Sequence, residues 1–301
     1  MLRKTLFRIR RRLLYLSGFL LTKRSKRFKL NSKSLQSNFF MELTSGIRKL
    51  VSKLADAKTR RESGLFVAEG AKCVADTIDS FECRYLFANA QWATDNPDFA
   101  RTHNCCIVKN DDLRRMSSLS TQPPVIAVYV IPKSRDVGVD AVRNRLVIAL
   151  DRVQDPGNLG TIVRIADWFG ITDIICSLDT VDIYNPKTVQ ATMGAISRVN
   201  VSYVNLAEFL SSAAKSGTPI YGTFLDGESI YTSPLAQNGI IIMGNEGKGI
   251  SAEVEANVSQ RLLIPHFSSD GSAPSSDSLN VAMATAIVVA EFRRRFIKGL
   301  S

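Results

Sequence analysis

The chain has 301 residues, a hydrophobic content of 45% and a formal net charge of +11. That composition is ordinary for a globular protein with a buried core, and the length favours two domains. Five cysteines without motif spacing argue against a disulfide framework and a zinc site, and two histidines leave little for a metal site or a His-based triad. We therefore predict no metal and a reducing compartment.

Residues 1–40 hold almost all of the basic character. They carry 12 Lys and Arg and no Asp or Glu, which leaves 27 basic against 28 acidic residues in the body. Such a block is typical of an interaction tail or a targeting segment outside the fold. Its apolar run at 13–21 is shorter than the roughly 20 residues that cross a bilayer. A signal-like segment, a mitochondrial transit peptide and a leader before a true start at Met41 stay open. We favour Met41 and a cytoplasmic protein without a membrane anchor, with a mitochondrial location as the alternative.

Residues 41–133 are predicted to form a small α/β unit. The spacing of its apolar residues predicts a first helix over 46–54. Further strands are predicted at 65–68, 85–87 and Val125–Val130, and further helices at 71–78 and from Asp111. The polar segment 132–142, which contains glycine, is predicted to connect this unit to the next.

Residues 144–301 are predicted to alternate strands and helices. The continuous apolar run Leu146–Leu150 is typical of a strand buried on both faces. A turn at 155–158, with Gly157 and Asn158 at positive φ, is expected to lead into a helix that ends near Phe169. Further strands are predicted at 174–176, 219–224, 240–243 and 262–264, and further helices at 187–196, 206–215 and 279–297. This alternation predicts an α/β fold with a mostly parallel sheet covered on both faces.

Three segments rich in Gly, Asn and Ser should follow strands of that sheet, and parallel sheets bind ligands at this edge. The first, at 155–164, begins a helix on which Asn158 and Arg164 can converge on one ligand. The second, at 240–249, has three glycines around Glu246, and the third is Ile-Pro at 264–265 followed by Ser-Leu-Asn-Val-Ala at 278–282. Each segment alone also has a structural explanation, as helix caps or solvated side chains. Neither a Walker phosphate loop nor a dinucleotide fingerprint is present.

Together and in this order, N-x-G-x-x-x-R, M-G-N-E-G-x-G and I-P with S-L-N-V-A resemble the SpoU family of RNA ribose 2′-O-methyltransferases, which is SPOUT-class and TrmH-like. The resemblance covers about residues 146–298. It implies a C-terminal trefoil knot, a homodimer and S-adenosylmethionine as cofactor. Upstream, the run 64–70 after the basic residues 58–61 resembles the ribosomal-protein-like substrate-binding domain of the family.

The resemblance also implies site residues. Arg164 takes the place of the essential arginine, and we expect it to orient the 2′-hydroxyl and the adjacent phosphate rather than act as a base. The other catalytic positions implied are Asn158, Glu246, Ser278 and Asn280. The cofactor-binding positions implied are Thr223, Met243, Gly244, Asn245, Gly247, Ile264 and Leu279. The RNA-binding positions implied are Lys58, Arg60, Arg61 and Arg164. One departure is the 12-residue loop between Pro265 and Ser278, which is longer than the family's usual loop.

The predicted function is therefore methylation of a ribose 2′-hydroxyl in RNA. Ribosomal RNA is favoured over transfer RNA because an added substrate domain resembles the ribosomal-RNA members. A non-catalytic RNA-binding protein that kept the fold is an alternative. An NAD-type dehydrogenase is disfavoured because its fingerprint is missing.

Overall fold

A computed structural model describes residues 42–133, 137–267 and 278–296. The chain divides into two units, Met1–Phe40 and Met41–Ser301, and every described residue belongs to the second. The predicted leader at 1–40 and most of the long loop before Ser278 lie outside the described residues.

A four-stranded sheet organises the first part of this unit. Its strands are β1 (Leu65–Glu69), β2 (Cys83–Ala88), β3 (Cys106–Ile107) and β4 (Val125–Val130). The helices around it are α1 (Ser45–Lys53), α2 (Ala57–Ser63), α3 (Ala71–Thr77), α4 (Ala90–Asp95), α5 (Pro97–Thr102) and α6 (Asn110–Met116). The strand order is β1-β4-β2-β3, with β4 antiparallel to both of its neighbours and β3 parallel to β2. The strand β4 lies between β1 and β2, and its apolar side chains are buried on both faces of the sheet.

A six-stranded sheet organises the second part. Its strands are β5 (Leu146–Leu150), β6 (Asp173–Ser177), β7 (Asn200–Val204), β8 (Ile220–Ser229), β9 (Gly239–Met243) and β10 (Gln260–Leu263). The helices are α7 (Val139–Val142), α8 (Pro156–Trp168), α9 (Pro186–Thr192), α10 (Leu206–Lys215), α11 (Ala252–Glu255) and α12 (Val281–Arg294), with a 3₁₀ turn at Ala195–Ser197. The order is β10-β8-β9-β5-β6-β7, and every pairing is parallel.

The central strands of this sheet explain its two covered faces. All five side chains of β5 are buried, and they alternate between two cores. Leu146, Ile148 and Leu150 belong to the core that contains α8 and α12. Val147 and Ala149 belong to the core that contains α10. This period of two is what a strand between two layers of helices requires.

Most predicted elements are confirmed, and three predictions are wrong in detail. No turn precedes the helix at Pro156, because Asp155 caps it directly, and neither Gly157 nor Asn158 has a positive φ. The helix predicted over 187–196 ends early, because Met193 and Gly194 adopt φ values of 49° and 85°. The connection predicted over 132–142 includes the short helix α7.

A buried arginine on α2, beside the first sheet, is bonded to the segment between β6 and α9 of the second part. Arg60 is only 2% exposed. Its Nε and Nη2 donate to Oδ2 of Asp182 at 2.8 and 2.7 Å, and its Nη1 donates to the carbonyl oxygens of Leu54 and Ala55 at 2.8 and 3.0 Å. Each nitrogen of this guanidinium therefore has an acceptor within the protein. This corrects the expectation that Arg60 contacts RNA. Its donors bind Asp182 and two backbone carbonyl oxygens inside the protein.

The cysteines are free thiols. Burial raises the pKa of Cys73 and of Cys83 to about 11, so both stay protonated at neutral pH. Over the ranges that the structure describes, no three His, Cys, Asp or Glu side chains gather as metal ligands. Over the same ranges, no helix combines the length and the apolar composition needed to cross a bilayer.

Candidate active site

Three polar segments meet at the carboxyl ends of the parallel strands. Nδ2 of Asn280, directly before α12, donates to Oδ1 of Asn158 at 2.9 Å. Nδ2 of Asn158, in the first turn of α8, donates to Oε1 of Glu246 in the loop after β9. This chain of two hydrogen bonds, the amide relay, connects all three segments through side chains that lie 88 and 122 residues apart in sequence.

Helix caps hold two of these segments in place. Oδ1 of Asp155 accepts from the backbone N–H of Asn158 at 2.8 Å, which caps α8. Oδ1 of Asn280 accepts from the N–H groups of Ala282 and Met283 at 3.0 and 3.3 Å, which caps α12. The expected structural role of Asn280 is therefore confirmed, and its Nδ2 remains available for the amide relay. Such caps each contribute about 1 kcal/mol.

The loop after β9 closes on itself around one asparagine. The backbones of Asn245 and Gly249 exchange hydrogen bonds of 3.1 and 2.9 Å. Oδ1 of Asn245 accepts from the N–H groups of Gly247 and Lys248, both at 3.0 Å, and its Nδ2 donates to the carbonyl oxygen of Arg152 at 2.9 Å. This closed loop presents Glu246 towards Asn158.

Two glycines of the motifs have a steric reason to be glycine. A Cβ on Gly244 would lie 2.4 Å from the carbonyl carbon of Gly249, because the two arms of the loop touch there. A Cβ on Gly160 would lie 2.4 Å from Cβ of Ala191, because α9 packs directly against α8. Gly160 is therefore a packing residue, whereas Gly244 shapes the loop of the site.

Arg164 lies on the exposed side of α8, whose opposite face buries Leu159, Ile162 and Val163. Within the described part of the chain, its guanidinium makes no hydrogen bond or ion pair. The amide relay does not include it. Among the described residues, Arg164 is thus a cation without a counter-ion, on the same helix as Asn158.

The loop after β9, residues 244–249, is called the glycine loop, and it contains the expected cofactor positions Gly244, Asn245 and Gly247. The other expected positions lie on or directly after β8, β9 and β10, and shortly before α12. Oγ1 of Thr223 donates to the carbonyl oxygen of Ile242 at 3.1 Å and lies 3.8 Å from Sδ of Met243. Met243 is buried at the end of β9. Ile264 is half-buried, whereas the apolar side chain of Leu279 is 48% exposed. The expected catalytic position Ser278 is exposed, and no hydrogen bond joins it to the relay within the described ranges.

Sequence reasoning missed one residue that builds this site. Asp151 directly follows β5 and is 2% exposed. Its Oδ2 accepts from the N–H of Ser251 at 2.6 Å, and its own N–H donates to the carbonyl oxygen of Met243 at 2.9 Å. It therefore ties the end of β5 to the far end of the glycine loop. An acidic residue immediately after a fully apolar strand is the signal that indicates such a position.

The geometry defines an α/β protein whose candidate site lies across the carboxyl ends of a parallel sheet, where such sheets bind ligands. Residues 145–290 match the SpoU rRNA Methylase family, and residues 47–127 match the MRM3-like substrate binding domain. A solved structure, a putative RNA methyltransferase of the TrmH family from Porphyromonas gingivalis, is 36% identical with a TM-score of 0.74. That comparison covers 85% of this chain and 100% of the other.

Two further relatives carry more specific descriptions. The 23S rRNA (guanosine(2553)-2′-O)-methyltransferase RlmP of Bacillus subtilis is 28% identical over 242 residues, which covers 80% of this chain and 93% of RlmP. The AdoMet-bound rRNA methyltransferase from Sinorhizobium meliloti is 29% identical, with a TM-score of 0.71 and coverage of 85% and 97%. The chain belongs to the SpoU family of rRNA methylases.

Proposed function

We propose that this protein transfers a methyl group from S-adenosylmethionine to a ribose 2′-hydroxyl of ribosomal RNA. The observation that carries the proposal is the amide relay, which draws the three family segments together at one edge of the sheet. The helix that carries Asn158 also carries Arg164, which has no partner among the described residues. Relatives described as acting on ribosomal RNA support the choice of substrate.

The residues around the glycine loop fit the cofactor. Gly244 lets the loop fold tightly, and Leu279 offers an exposed apolar side chain of the kind that packs against a neutral adenine ring. We propose that Thr223, Met243, Asn245 and Gly247, together with Ile264 and Leu279, hold the adenosyl and methionyl parts. When bound, this cofactor supplies a methyl group on a positively charged sulfur.

Arg164 has the role of an orienting cation. A guanidinium is a planar fork of donors that matches phosphate, and it is a poor base. Placed against the phosphate next to the target ribose, Arg164 would fix the 2′-hydroxyl in line with the methyl group. Alignment of this kind can supply as much as about 7–11 kcal/mol of the barrier. Asn158, Glu246 and Asn280 hold the surrounding loops in one arrangement, and Ser278 lies two residues before Asn280.

RNA selection is assigned to residues 41–133, as a domain separate from the methyltransferase domain at 144–301. Lys58 and Arg61 are exposed on α2. The ion pair of Lys58 with Glu62 spans 3.9 Å between exposed groups and contributes little, so Lys58 stays available for phosphate. Ribose methylation depends on the shape and the 2′-hydroxyl of RNA, which leaves choice of site to such a domain.

The working unit is proposed to be a homodimer with a C-terminal trefoil knot. Exposed apolar side chains on two packed helices support the dimer, because Trp168 on α8 is 86% exposed and Met283 on α12 is 65% exposed. The five free thiols support action in a reducing compartment, the cytoplasm or, if residues 1–40 are a transit peptide, the mitochondrial matrix.

The test is transfer of radiolabelled methyl from S-adenosylmethionine to total RNA from cells that lack this protein, followed by separation of the RNA by size. We expect label in ribosomal RNA, recovered as alkali-resistant 2′-O-methylated dinucleotides. Label in transfer RNA alone would contradict the proposed substrate. Cofactor binding without any transfer, to naked RNA or to assembly intermediates, would favour a non-catalytic RNA-binding protein.

A further inference from the structure

Arg152 adopts a backbone conformation that its side chain disfavours. It is the second residue after β5, at the carboxyl edge of the sheet, and its φ is 59°. For a residue with a Cβ this left-handed region costs about 1–2 kcal/mol, and Gly or Asn usually occupies it. Such strain persists only where the surroundings enforce it, and it concentrates at functional sites.

The surroundings of Arg152 do enforce it. Its N–H donates to Oγ of Ser177 at 2.9 Å, and its carbonyl oxygen accepts from Nδ2 of Asn245 at 2.9 Å. Ser177 ends β6, and Asn245 is the second residue after β9, so the two contacts come from the carboxyl ends of the two strands that flank β5. The backbone of Arg152 is therefore clamped at the centre of the carboxyl edge, next to the proposed active site.

The side chain of Arg152 has donors that no acceptor among the described residues uses. Its Nε is buried without a hydrogen bond and lies 3.5 Å from Oδ1 of Asp151, whose other oxygen already accepts from Ser251. Within the described residues, neither Nη atom has an acceptor, and 29% of the side chain is exposed. The ion pair with Asp151 leaves both Nη atoms without an acceptor among the described residues, and a bound anion would offset the cost of their partial burial.

We propose that Arg152 binds a phosphate of the RNA substrate. This rests on the proposed function, and it adds a substrate-binding residue that lies outside the three family motifs. Phosphate is the expected anion because the guanidinium fork matches two of its oxygens, and because Arg152 lies three residues before the segment 155–164 that carries Arg164. The methionyl carboxylate of the cofactor has similar chemistry, and the experiment separates the two.

The experiment compares Arg152→Gly and Arg152→Lys with wild type in the full chain. Gly accepts the backbone conformation, so Arg152→Gly removes the guanidinium without adding strain. Two variants serve as controls. Met193→Gly makes the same backbone exchange at another left-handed residue with φ of 49°, and Arg145→Ala removes a cation before the opposite end of β5. Filter retention of labelled total ribosomal RNA gives RNA affinity, calorimetry gives the affinity for S-adenosylmethionine, and melting temperatures confirm folding.

We expect Arg152→Gly to weaken RNA binding about tenfold or more and to lower the slope of log affinity against log salt by about 0.7–0.9, the value for one lost phosphate contact. Arg152→Lys should recover part of the affinity, and both controls should bind RNA as wild type does. Unchanged RNA affinity in folded Arg152→Gly overturns the proposal. Weaker binding of S-adenosylmethionine with unchanged RNA affinity also overturns it and assigns Arg152 to the cofactor. Because filter retention requires no methyl transfer, its result is independent of whether the proposed reaction is found.

Discussion

Substitution of Arg60 by alanine should weaken the connection between the two parts of the fold and lower the free energy of unfolding. The change removes two bonds to Asp182 and leaves the carbonyl oxygens of Leu54 and Ala55 without their donor. Breaking a buried pair costs about 3–5 kcal/mol. The side chain of Asp182 is 37% exposed, so water relieves part of this loss and about 2–4 kcal/mol is expected. At about 2–4 °C per kcal/mol, the melting temperature should fall by roughly 5–15 °C.

The chain offers a local probe and a matched control for this prediction. It has two tryptophans, and Trp92 lies on α4, beside the first sheet, with its ring centroid 5.4 Å from that of Phe99. In a Trp168→Phe background, fluorescence during urea unfolding therefore reports on the first sheet alone. Arg61→Ala is the control, because Arg61 is exposed and should change stability by less than about 0.5 kcal/mol. A loss in Arg60→Ala no larger than that of the control would refute the assignment of Arg60 as the link between the sheets.

Three further predictions concern the site and the thiols. Arg164→Ala should lower the initial rate of methyl transfer by about a hundredfold or more. Calorimetry should show the same melting temperature and the same cofactor affinity as wild type. Wild-type turnover in this variant would contradict the orienting role. Gly244→Ala should weaken binding of S-adenosylmethionine at least tenfold, because the new Cβ would lie 2.4 Å from the carbonyl carbon of Gly249; unchanged affinity would show that the loop is irrelevant to the cofactor. The thiols of Cys73 and Cys83, with pKa values of about 11, should resist alkylation at pH 8 in the folded protein and react in urea. Mass spectrometry follows the labelling. Fast labelling of the folded protein would contradict the burial of these thiols.

The sequence predicts the large parallel sheet well, because strands buried on both faces are continuous apolar runs. The bounds of β4, β5 and α10 are confirmed as predicted. β7 was not predicted, since its run Asn200–Val204 alternates polar and apolar residues at the edge of the sheet. α2 was not predicted either, because its seven residues carry almost no apolar pattern, and its start depends on the cap at Asp56.

The convergence of the three motifs follows from a general rule, but the details of the contacts do not. The carboxyl ends of parallel strands share one edge, so Asn158, Glu246 and Asn280 could be expected near each other. The central place of Asn158, which bonds both Glu246 and Asn280, could not be predicted. It depends on how α8 and α12 are oriented against the sheet, and core packing sets that orientation. The burial of Arg60 is likewise a tertiary event, and a basic run in sequence cannot distinguish a surface cation from one spent on an internal ion pair. The catalytic roles assigned to these side chains stay predictions.

The amide relay has a consequence for how substitutions in the site combine. Asn158 has one oxygen and one nitrogen in its amide group, and Asn280 uses one and Glu246 the other. Removing any member leaves a neighbour with an unmatched group, so the first substitution already loosens loops that the second would have loosened. Double variants within this trio should therefore show much less than the sum of the single effects. The three loops then behave as one thermodynamic unit. Amide exchange at Ala282, whose N–H Asn280 caps, should therefore report on events at the glycine loop, two side-chain hydrogen bonds away.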